Sequence, residues 1–429
     1  MLESFSISHD LLYSLNIENH VYSKNSPTES IEFYKLTFIK GHRVSDVAAD
    51  FSLRFHLNME EIVQQIYDHA CGVLKFPEVE CDSPSVNALL SVYDISALWQ
   101  AEGPNVNSLV YVRQNYSAEE LATFYCYSFN CPEDILERLT TSLRQEISTP
   151  ANASTRFDMV YEFGLWGRNE NDGGLGSGPG SSLTGASDVL RELPRLLQAY
   201  DVSHVVDLGC GSMNWMAPLL LQVDADRLKQ RGLPSVEGGE GSGGLGYTGV
   251  DVSLRAVHRA EQTVAAIPAH QRQHWRFVHM DISAAGANVS SLFPPRNTPS
   301  HCPAAPTPST YLVVARHIFF HLEQRTVARI LLALDEYVDT LASTVAYCGA
   351  APDVYLLATN HLNVSTDDAW LEQSGLGAYR AMNLNAHPFF LRDAIEVFGD
   401  NADLPESEKN RVMGLWKLPL HGNLSIIGR

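Results

Sequence analysis

The second half of the chain alternates between apolar runs and helical stripes. Residues 186–200 place their leucines on one helical face, which predicts an amphipathic helix, and the same period predicts helices over 253–267 and 323–343. Short apolar runs predict buried strands at 204–209, 247–253, 274–283, 310–322 and 353–361. Strands separated by helices indicate a parallel sheet covered on both faces, so we expect a doubly wound α/β domain over residues 155–429.

Residues 1–150 follow a different pattern, in which 36–66 aligns without gaps to 109–139. Each stretch opens with strand-like alternation and continues into two short amphipathic helices. We therefore predict a smaller α+β N-terminal region of two tandem repeat modules, at about 30–75 and 105–145. The pattern offers no cluster of ligands, no nucleophile pair and no glycine loop. We interpret this region as an accessory domain that packs or binds a protein partner.

Composition narrows the classes of function. Thirty Lys and Arg residues against fifty Asp and Glu residues give a formal charge of −20, which argues against binding nucleic acid through its phosphates. The N-terminus lacks the features of a signal or transit peptide, and no run of about 18 apolar residues predicts a membrane span. Seven scattered cysteines without CxxC spacing are typical of reduced thiols, so we expect a cytoplasmic protein.

A glycine turn follows the first strand of the α/β region, in the stretch VVDLGCGSMNW at 205–215. A dinucleotide fold would have a third glycine where Asn214 stands, and a phosphate-binding loop would have Gly-Lys-Ser/Thr. Both are missing, which leaves S-adenosylmethionine (SAM) as the nucleotide. Gly209 and Gly211 would let the backbone approach its amino-acid tail and its sugar closely.

Acidic residues end three consecutive predicted strands. Asp207 would accept a hydrogen bond from the methionyl ammonium, and Asp251 would accept from both ribose hydroxyls. Asp281 would accept from the adenine amino group, while Ile282 offers the adenine an apolar face. Each acid alone could be a helix cap, but ligands of parallel sheets bind at the carboxyl ends of the strands. The three together therefore favour SAM.

These residues and several further motifs resemble the class I SAM-dependent methyltransferases, in particular a mostly bacterial group with SGPGS and CGxxNW motifs. The motifs are SGPGSS at 177–182, the turn at 205–216, YTGVDVS at 247–253, ARHIFFHL at 315–322, YRAMNL with PFF at 379–390, and MGLWKL at 413–418. The resemblance spans about 161–418 and implies a Rossmann-like domain that uses SAM. Two insertions, at 232–246 and 294–310, depart from the family. His317 also departs, because aspartate is expected there.

The resemblance also changes the interpretation of the glycine-rich stretch before the domain. Ser177, Gly178, Gly180 and Ser181 would lead directly into a helix whose N-terminal amides suit an anionic group such as the SAM carboxylate. Trp166 would then close over the pocket. The alternatives are a plain linker for the stretch and a core or surface position for Trp166.

Candidate catalytic residues follow the fourth strand. Arg316 would clamp a carboxylate or phosphate of the substrate. His317 and His321 are candidate bases for an acceptor that starts protonated, although His321 could equally be a core histidine. Their i, i+4 spacing resembles a metal pair, but no third ligand is near and we expect no metal. Further polar candidates for the acceptor pocket are Asn360, His361, Tyr379, Arg380 and Asn383.

The sequence thus predicts a methyltransferase acting on an oxygen or nitrogen of a small molecule, a glycan or a protein side chain. No Asn/Asp-Pro-Pro-aromatic motif follows the fourth strand, which together with the acidic charge disfavours nucleic-acid amines as acceptors. The alternative is an interaction scaffold of methyltransferase fold that binds SAM without turnover.

Overall fold

The computed structural model divides the chain into two compact units, Met1–Pro150 and Ala151–Arg429. No helix among the described residues is long and apolar enough to cross a membrane. The structure describes residues 13–21, 30–38, 43–54, 59–73, 80–81, 86–87, 89–95, 98, 108–129, 131–148, 153–163, 165–166, 176–230, 244–284, 286–294, 309–345, 352–365, 379–402, 404 and 410–420.

The first unit contains two antiparallel hairpins, each followed by two helices. Its elements are β1 (Tyr13–Val21), β2 (Ser30–Phe38), α1 (Val44–Arg54), α2 (Met59–Tyr67), β3 (Leu89–Asp94), β4 (Leu109–Arg113), α3 (Ala118–Phe129) and α4 (Glu133–Ser148). Two apolar clusters fill it, one around the first pair of helices and one around the second. The tandem-repeat relationship between these two sets of elements stays a prediction.

The cysteines of the first unit differ from the expectation of reduced thiols. Cys71 is bonded to Cys81 and Cys126 to Cys131, with Cα atoms 5.7 and 4.6 Å apart. These separations lie within the range that a disulfide bridges. Sequence spacing missed the pairs because local turns bring each pair together without a CxxC motif. Cys210, in the second unit, is a buried free thiol.

The second unit is built around a seven-stranded sheet. Its elements are α5 (Ala153–Phe163), α6 (Ser187–Ala199), β5 (Val202–Leu208), α7 (Met216–Gln230), β6 (Gly246–Asp251), α8 (Leu254–Ala265), β7 (Trp275–His279), β8 (Thr310–Ala315), α9 (Gln324–Val345), β9 (Asp353–His361), β10 (Glu396–Gly399) and β11 (Arg411–Leu418). The strand order is β10-β11-β9-β8-β5-β6-β7. Strands β5 to β9 run parallel, and β11 runs antiparallel to both of its neighbours.

Both faces of this sheet are buried. Along β5, Val205 joins the apolar cluster with α6 and α7, and Val206 joins the opposite cluster with α9. Successive side chains of a strand point to opposite faces, so an unbroken apolar run suits a sheet with helices on both sides. The mostly parallel sheet confirms the predicted Rossmann-like α/β fold.

Some predicted boundaries are wrong. The third and fourth strands end at His279 and Ala315, before the predicted 283 and 322, because the chain turns where it reaches the edge of the sheet. The helix predicted over 186–200 is confirmed as Ser187–Ala199, but the segment 177–182 does not lead straight into it, since a 3₁₀ turn and a second turn come first. The predicted insertions at 232–246 and 294–310, and residues 169–175 of the glycine-rich stretch, lie almost entirely outside the described residues.

Candidate functional site

The sheet reverses its winding direction at β5. The chain moves from β5 to β6 and β7 on one side, and returns to place β8 on the other side. In open α/β sheets, ligands bind at such a switch point, outside the carboxyl ends of the strands. The turn after β5 and the turn after β8 both lie at this point.

The turn after β5 needs both of its glycines. Gly209 and Gly211 have φ angles of +72° and +56°, a region that residues with a side chain rarely adopt. A Cβ at Gly209 would lie 3.0 Å from Ile318, and one at Gly211 would lie 3.0 Å from Ser177 Oγ. The N–H of Gly209 donates to the carbonyl of Val250, 2.7 Å away, which joins the turn to the end of β6. Asn214 is half-buried in the same turn.

Asp207 and Asp251 are buried at the ends of neighbouring strands. Asp207, 3% exposed, accepts a hydrogen bond of 2.8 Å from the Tyr247 hydroxyl, and burial raises its pKa to about 7. Asp251 accepts from the N–H groups of Gly211 and Ser253, at 3.0 and 2.9 Å, and burial raises its pKa to about 6. Neither carboxylate forms an ion pair within the described residues, so each can still accept from a ligand or bind a cation.

Asp281 lies beyond the end of β7, at the same edge of the sheet. Its Oδ1 accepts from the N–H of Ser283 at 2.8 Å and from the Ser283 hydroxyl. Asp281 and Ile282 are both half-buried. The N–H of Met280 donates to the Asp251 carbonyl at 2.9 Å, which holds this turn against β6. The structure thus brings the three predicted acids to the ends of three adjacent parallel strands.

The segment 176–182 packs against the glycine turn. Ser177 Oγ accepts from the N–H of Ser212 at 3.1 Å and lies 2.9 Å from the Ser212 hydroxyl. Gly178 has a φ of +80°, and a Cβ there would meet Trp166 at 3.4 Å. Ser181 donates its N–H to the Gly178 carbonyl and its hydroxyl to the Ser177 carbonyl, at 3.1 and 3.0 Å. The N–H of Ser181 therefore closes a local 3₁₀ turn, and the α-helix that the sequence places directly after this segment begins only at Ser187.

Arg316 is surrounded by protein acceptors. Its guanidinium donates to the carbonyls of Gly180 and Gly185, at 2.7 and 3.1 Å, and to the Asp400 carboxylate at 2.8 Å. It also lies 5.4 Å from the ring centroid of Trp215. The side chain is 3% exposed, so the arrangement joins the 180–185 segment to the end of β10. This differs from the predicted clamp on a substrate anion.

His317 has an unusual backbone and a fixed ring. Its φ is +59°, its N–H donates to Thr359 Oγ1 at 2.9 Å, and its Nε2 lies 2.9 Å from Asp400 Oδ2. Burial lowers its pKa to about 4, so the ring is neutral near pH 7. Because Asp400 is an acceptor, the neutral ring carries its hydrogen on Nε2, which leaves Nδ1 as an acceptor.

Asp400 is the functional-site residue that the sequence analysis missed. It is buried directly after β10, and it contacts Arg316 and His317 and lies 3.8 Å from Arg411 Nε. Burial alone would raise its pKa, but the Arg316 guanidinium and His317 hold that pKa well below its usual range. The only sequence signal was an acid after a four-residue strand, and Arg316 and His317 are 84 and 83 positions away.

His321 lies in an aromatic cluster. Its ring stacks on Trp166 with centroids 5.0 Å apart, and it meets Phe320 at 4.7 Å and Phe157 at 6.0 Å. Tyr379, 55% exposed, extends the cluster with its ring 5.6 Å from Phe320. The cluster forms an aromatic wall next to the turn after β8.

Most of the other late polar candidates hold the segment after residue 379 against β9. Asn360 Oδ1 accepts from the N–H of Leu384 at 2.7 Å, and Asn383 donates to the Val364 carbonyl at 3.1 Å. His361 Nδ1 accepts from the N–H of Met382 at 3.2 Å, and Arg380 donates to the Leu322 carbonyl at 2.6 Å. In the described ranges no group of three or more His, Cys, Asp or Glu side chains could hold a metal ion.

No family model matches the chain, and no curated protein matches it. Among solved structures it is similar to the methyltransferase domain of bacterial CtHen1-C, at 14% identity and a TM-score of 0.29, over 54% of this chain and 97% of that one. It is also similar to the SAM-bound magnesium protoporphyrin IX methyltransferase of Synechocystis PCC 6803, at 10% identity and a TM-score of 0.32, over 71% and 98%. A third is the SAM-bound glycopeptide N-methyltransferase MtfA, at 11% identity and a TM-score of 0.29, over 53% and 85%.

Proposed function

We propose that the second unit binds SAM and transfers its methyl group to an oxygen or nitrogen of a small molecule, a glycan or a protein side chain. The observation that carries this proposal is the placement of Asp207, Asp251 and Asp281 at the ends of β5, β6 and β7. Together with the glycine turn at the switch point, the three carboxylates offer hydrogen-bond acceptors to a ligand along the carboxyl edge of the sheet.

The three acids match the three donor groups of SAM. Asp207 would accept from the ammonium, because a buried carboxyl without an ion pair regains its charge beside a cation. Asp251 would accept from the ribose hydroxyls, and Asp281 from the adenine amine with Ile282 against the ring. Gly209 and Gly211 keep the positive φ angles of this turn, and a Cβ at either would crowd Ile318 or Ser177, so the turn that would face the tail and the sugar depends on both glycines.

The segment before α6 would cover the tail of the cofactor. Ser177 contacts Ser212 in the glycine turn, and Gly178 lets the chain pass against Trp166. We assign Gly180 and Ser181 to holding this cover in shape, since Gly180 accepts from Arg316 and Ser181 closes the local turn. Arg316 then supports the cover and does not touch the substrate.

Bound SAM supplies a methyl group on a positively charged sulfur, and the chain must hold the acceptor in line with it. We assign His317 to orienting the acceptor through Nδ1, because a ring with a pKa of about 4 takes up a proton poorly near pH 7. His321 is then the base for an acceptor that starts protonated. Trp166, stacked on His321, would close the pocket and exclude water.

Calorimetry tests the cofactor assignment. The full chain should bind SAM with a micromolar dissociation constant and give no heat with NAD. Asp251→Ala should lose most of the affinity, whereas Asp339→Ala, an exposed acid on α9, should bind as the wild type does. No saturable heat with SAM at millimolar concentration, or binding of NAD, would contradict the proposal.

Turnover separates the enzyme from the scaffold. Incubation with SAM and a panel of acceptors should release S-adenosylhomocysteine with at least one of them. His321→Asn should lower the rate while leaving SAM affinity unchanged. SAM binding without release for any phenol, amine, glycan or peptide acceptor would favour the scaffold.

A further inference from the structure

The first unit contains a cavity of about 200 Å³ that lies between α1 and α3, above β4. Asp46, Asp50 and Arg54 line it from one face of α1, and Arg113 lines it from the end of β4. The charged groups thus come from both halves of the unit, which is why neither half shows a ligand cluster in its sequence. The lining carries two acids and two bases, so its formal charges balance.

One end of the cavity is acidic. Asp50 Oδ1 accepts from Arg113 Nε at 2.7 Å and lies 2.6 Å from its NH2, while the Asp50 side chain remains 31% exposed. Within the part of the chain that the structure describes, Oδ2 of Asp50 has no hydrogen bond. Asp46 is different, because it accepts from both nitrogens of Asn87, at 2.6 and 2.7 Å, and from the Tyr116 hydroxyl at 2.9 Å. Asp50 therefore has the acceptor that a ligand can reach.

The other end is basic. Arg54 follows Asp50 by one helical turn, the spacing at which an acid and a base pair across a helix surface. Its guanidinium instead lies over the Phe129 ring, 4.7 Å from the centroid, and donates to the Leu109 carbonyl at 3.3 Å. Its Nε is buried and has no acceptor among the described residues. Arg54 thus brings to the lining of the cavity a guanidinium that has no carboxylate partner among the described residues.

Aromatic rings line the rest of the cavity. Phe51, Phe124 and Phe129 face the cavity with Tyr111 and Tyr125, and burial raises the pKa of each tyrosine to about 12. The tyrosines are thus uncharged and present ring surface. An apolar cavity of about 150 Å³ in another protein holds benzene, so about 200 Å³ accommodates a ring or branched chain with small polar groups.

We propose that this cavity binds a free α-amino acid with a large apolar side chain. The ammonium group lies against Oδ2 of Asp50, the carboxylate accepts from the Arg54 guanidinium, and the side chain packs among the aromatic rings. A zwitterion keeps the balance of charge in the lining, whereas an amine or an acid alone leaves one end unmatched. The proposal does not rest on the methyltransferase function.

Calorimetry on the full chain with L-phenylalanine and L-leucine tests the site. At least one should bind with a dissociation constant below 1 mM, as an order-of-magnitude expectation for a small ligand with two charged contacts. Phenethylamine lacks the carboxylate and 3-phenylpropanoate lacks the ammonium, and each should bind at least tenfold more weakly. No saturable heat with either amino acid overturns the proposal. Equal affinities for phenethylamine and L-phenylalanine would show that Arg54 does not bind the carboxylate, which overturns the proposed site.

Variants locate the binding. Arg54→Gln and Asp50→Asn should each weaken the amino acid at least tenfold, whereas Arg138→Gln, an exposed arginine on α4, should leave it unchanged. Because either cavity variant could unfold the unit, Val47→Phe is a second test that fills the space and keeps the charges. It should abolish binding with an unchanged circular dichroism spectrum. Wild-type affinity in Val47→Phe would place the amino acid elsewhere and overturn the proposal.

Discussion

Asp207 and Asp400 are both buried carboxyls at the same edge of one sheet, yet their environments are opposite. Asp400 contacts Arg316 and His317, and although burial alone would raise its pKa, these groups hold it well below the usual range. Asp207 has a hydroxyl as its partner, and burial raises its pKa to about 7. Asp400 already has the Arg316 guanidinium as its counter-ion, whereas Asp207 has no cationic partner among the described residues.

This difference separates two roles that residue type alone does not. A buried acid with complete partners holds elements together, and its loss leaves buried cations uncompensated. A buried acid without a cation is a candidate ligand-binding group, because its perturbed pKa relaxes when a cation arrives. The predictions below test this distinction.

Asp400→Asn should have the largest effect on stability. It leaves the Arg316 guanidinium buried beside a neutral amide, and breaking such a pair lowers the free energy of unfolding by about 3–5 kcal/mol. Urea denaturation at pH 7 measures the change, with Asp339→Asn as the exposed control. A loss below about 1 kcal/mol, within the range of an exposed ion pair, would contradict the structural role of Asp400.

Asp251→Ala should have the largest effect on SAM binding among the acids. It removes two charge-assisted hydrogen bonds to the ribose, each worth about 1.5–3 kcal/mol, so affinity should fall at least 100-fold. Asp281→Ala should lose less, because the adenine amine at a half-buried position finds water instead. Calorimetry of both variants measures the order, and an Asp281→Ala variant that binds more weakly than Asp251→Ala would reverse the assignment.

Asp207→Asn should separate stability from binding. The folded pKa of Asp207 is about 7 against 3.8 for an unperturbed Asp, so its contribution to stability is present below pH 4 and is lost as the pH rises to about 7. The variant lacks this loss, and between pH 5 and 8 its stability should gain about 2–3 kcal/mol relative to the wild type.

The same variant should bind SAM weakly and without the increase in affinity from pH 6 to 8 that we expect of the wild type as Asp207 ionises. Melts and calorimetry at both pH values measure the two effects. A variant that is less stable than the wild type at pH 8 would assign Asp207 to support, as for Asp400.

Ser177→Ala should have the smallest effect. It removes the acceptor for the N–H of Ser212, which is worth about 1 kcal/mol, so SAM affinity should fall about fivefold with little change in the ligand-free melt. Ser203→Ala, on the opposite end of β5, is the matched serine control. Equal affinities of the two variants would mean that Ser177 does not reach the site.

The parallel strands β5, β6, β8 and β9 were predictable because each is buried on both faces and is therefore largely apolar, whereas the edge strand β7 is half-buried. The short strand β10 was not, since it has four residues and Val397 is 54% exposed. The position of β11 between β9 and β10 depends on long-range pairing with no local signal.

The candidate site likewise contains residues whose positions were predictable from the sequence and residues whose positions were not. Asp207, Asp251 and Asp281 each follow a predicted strand, and parallel strands bring their carboxyl ends to one edge, so their proximity was predictable. The role of Asp400 was not, because it depends on partners 84 and 83 positions away. The 3₁₀ turn at Pro179–Ser181 was also missed. The N–H groups of Ser181 and Ser182 form hydrogen bonds within it, at a place where the sequence analysis expected the segment to lead directly into a helix.

The contacts of Arg316 also bear on the route by which molecules enter and leave. Opening the 180–185 segment would separate the buried Arg316 guanidinium from the carbonyls of Gly180 and Gly185, and every 1.4 kcal/mol of that cost slows the motion about tenfold. Trp166 contacts His321 through stacked rings, so separating the two rings does not leave a buried guanidinium without its acceptors. We therefore expect the cofactor and the acceptor to enter and leave past the Trp166 indole. Trp166 fluorescence would then report their binding and release in real time.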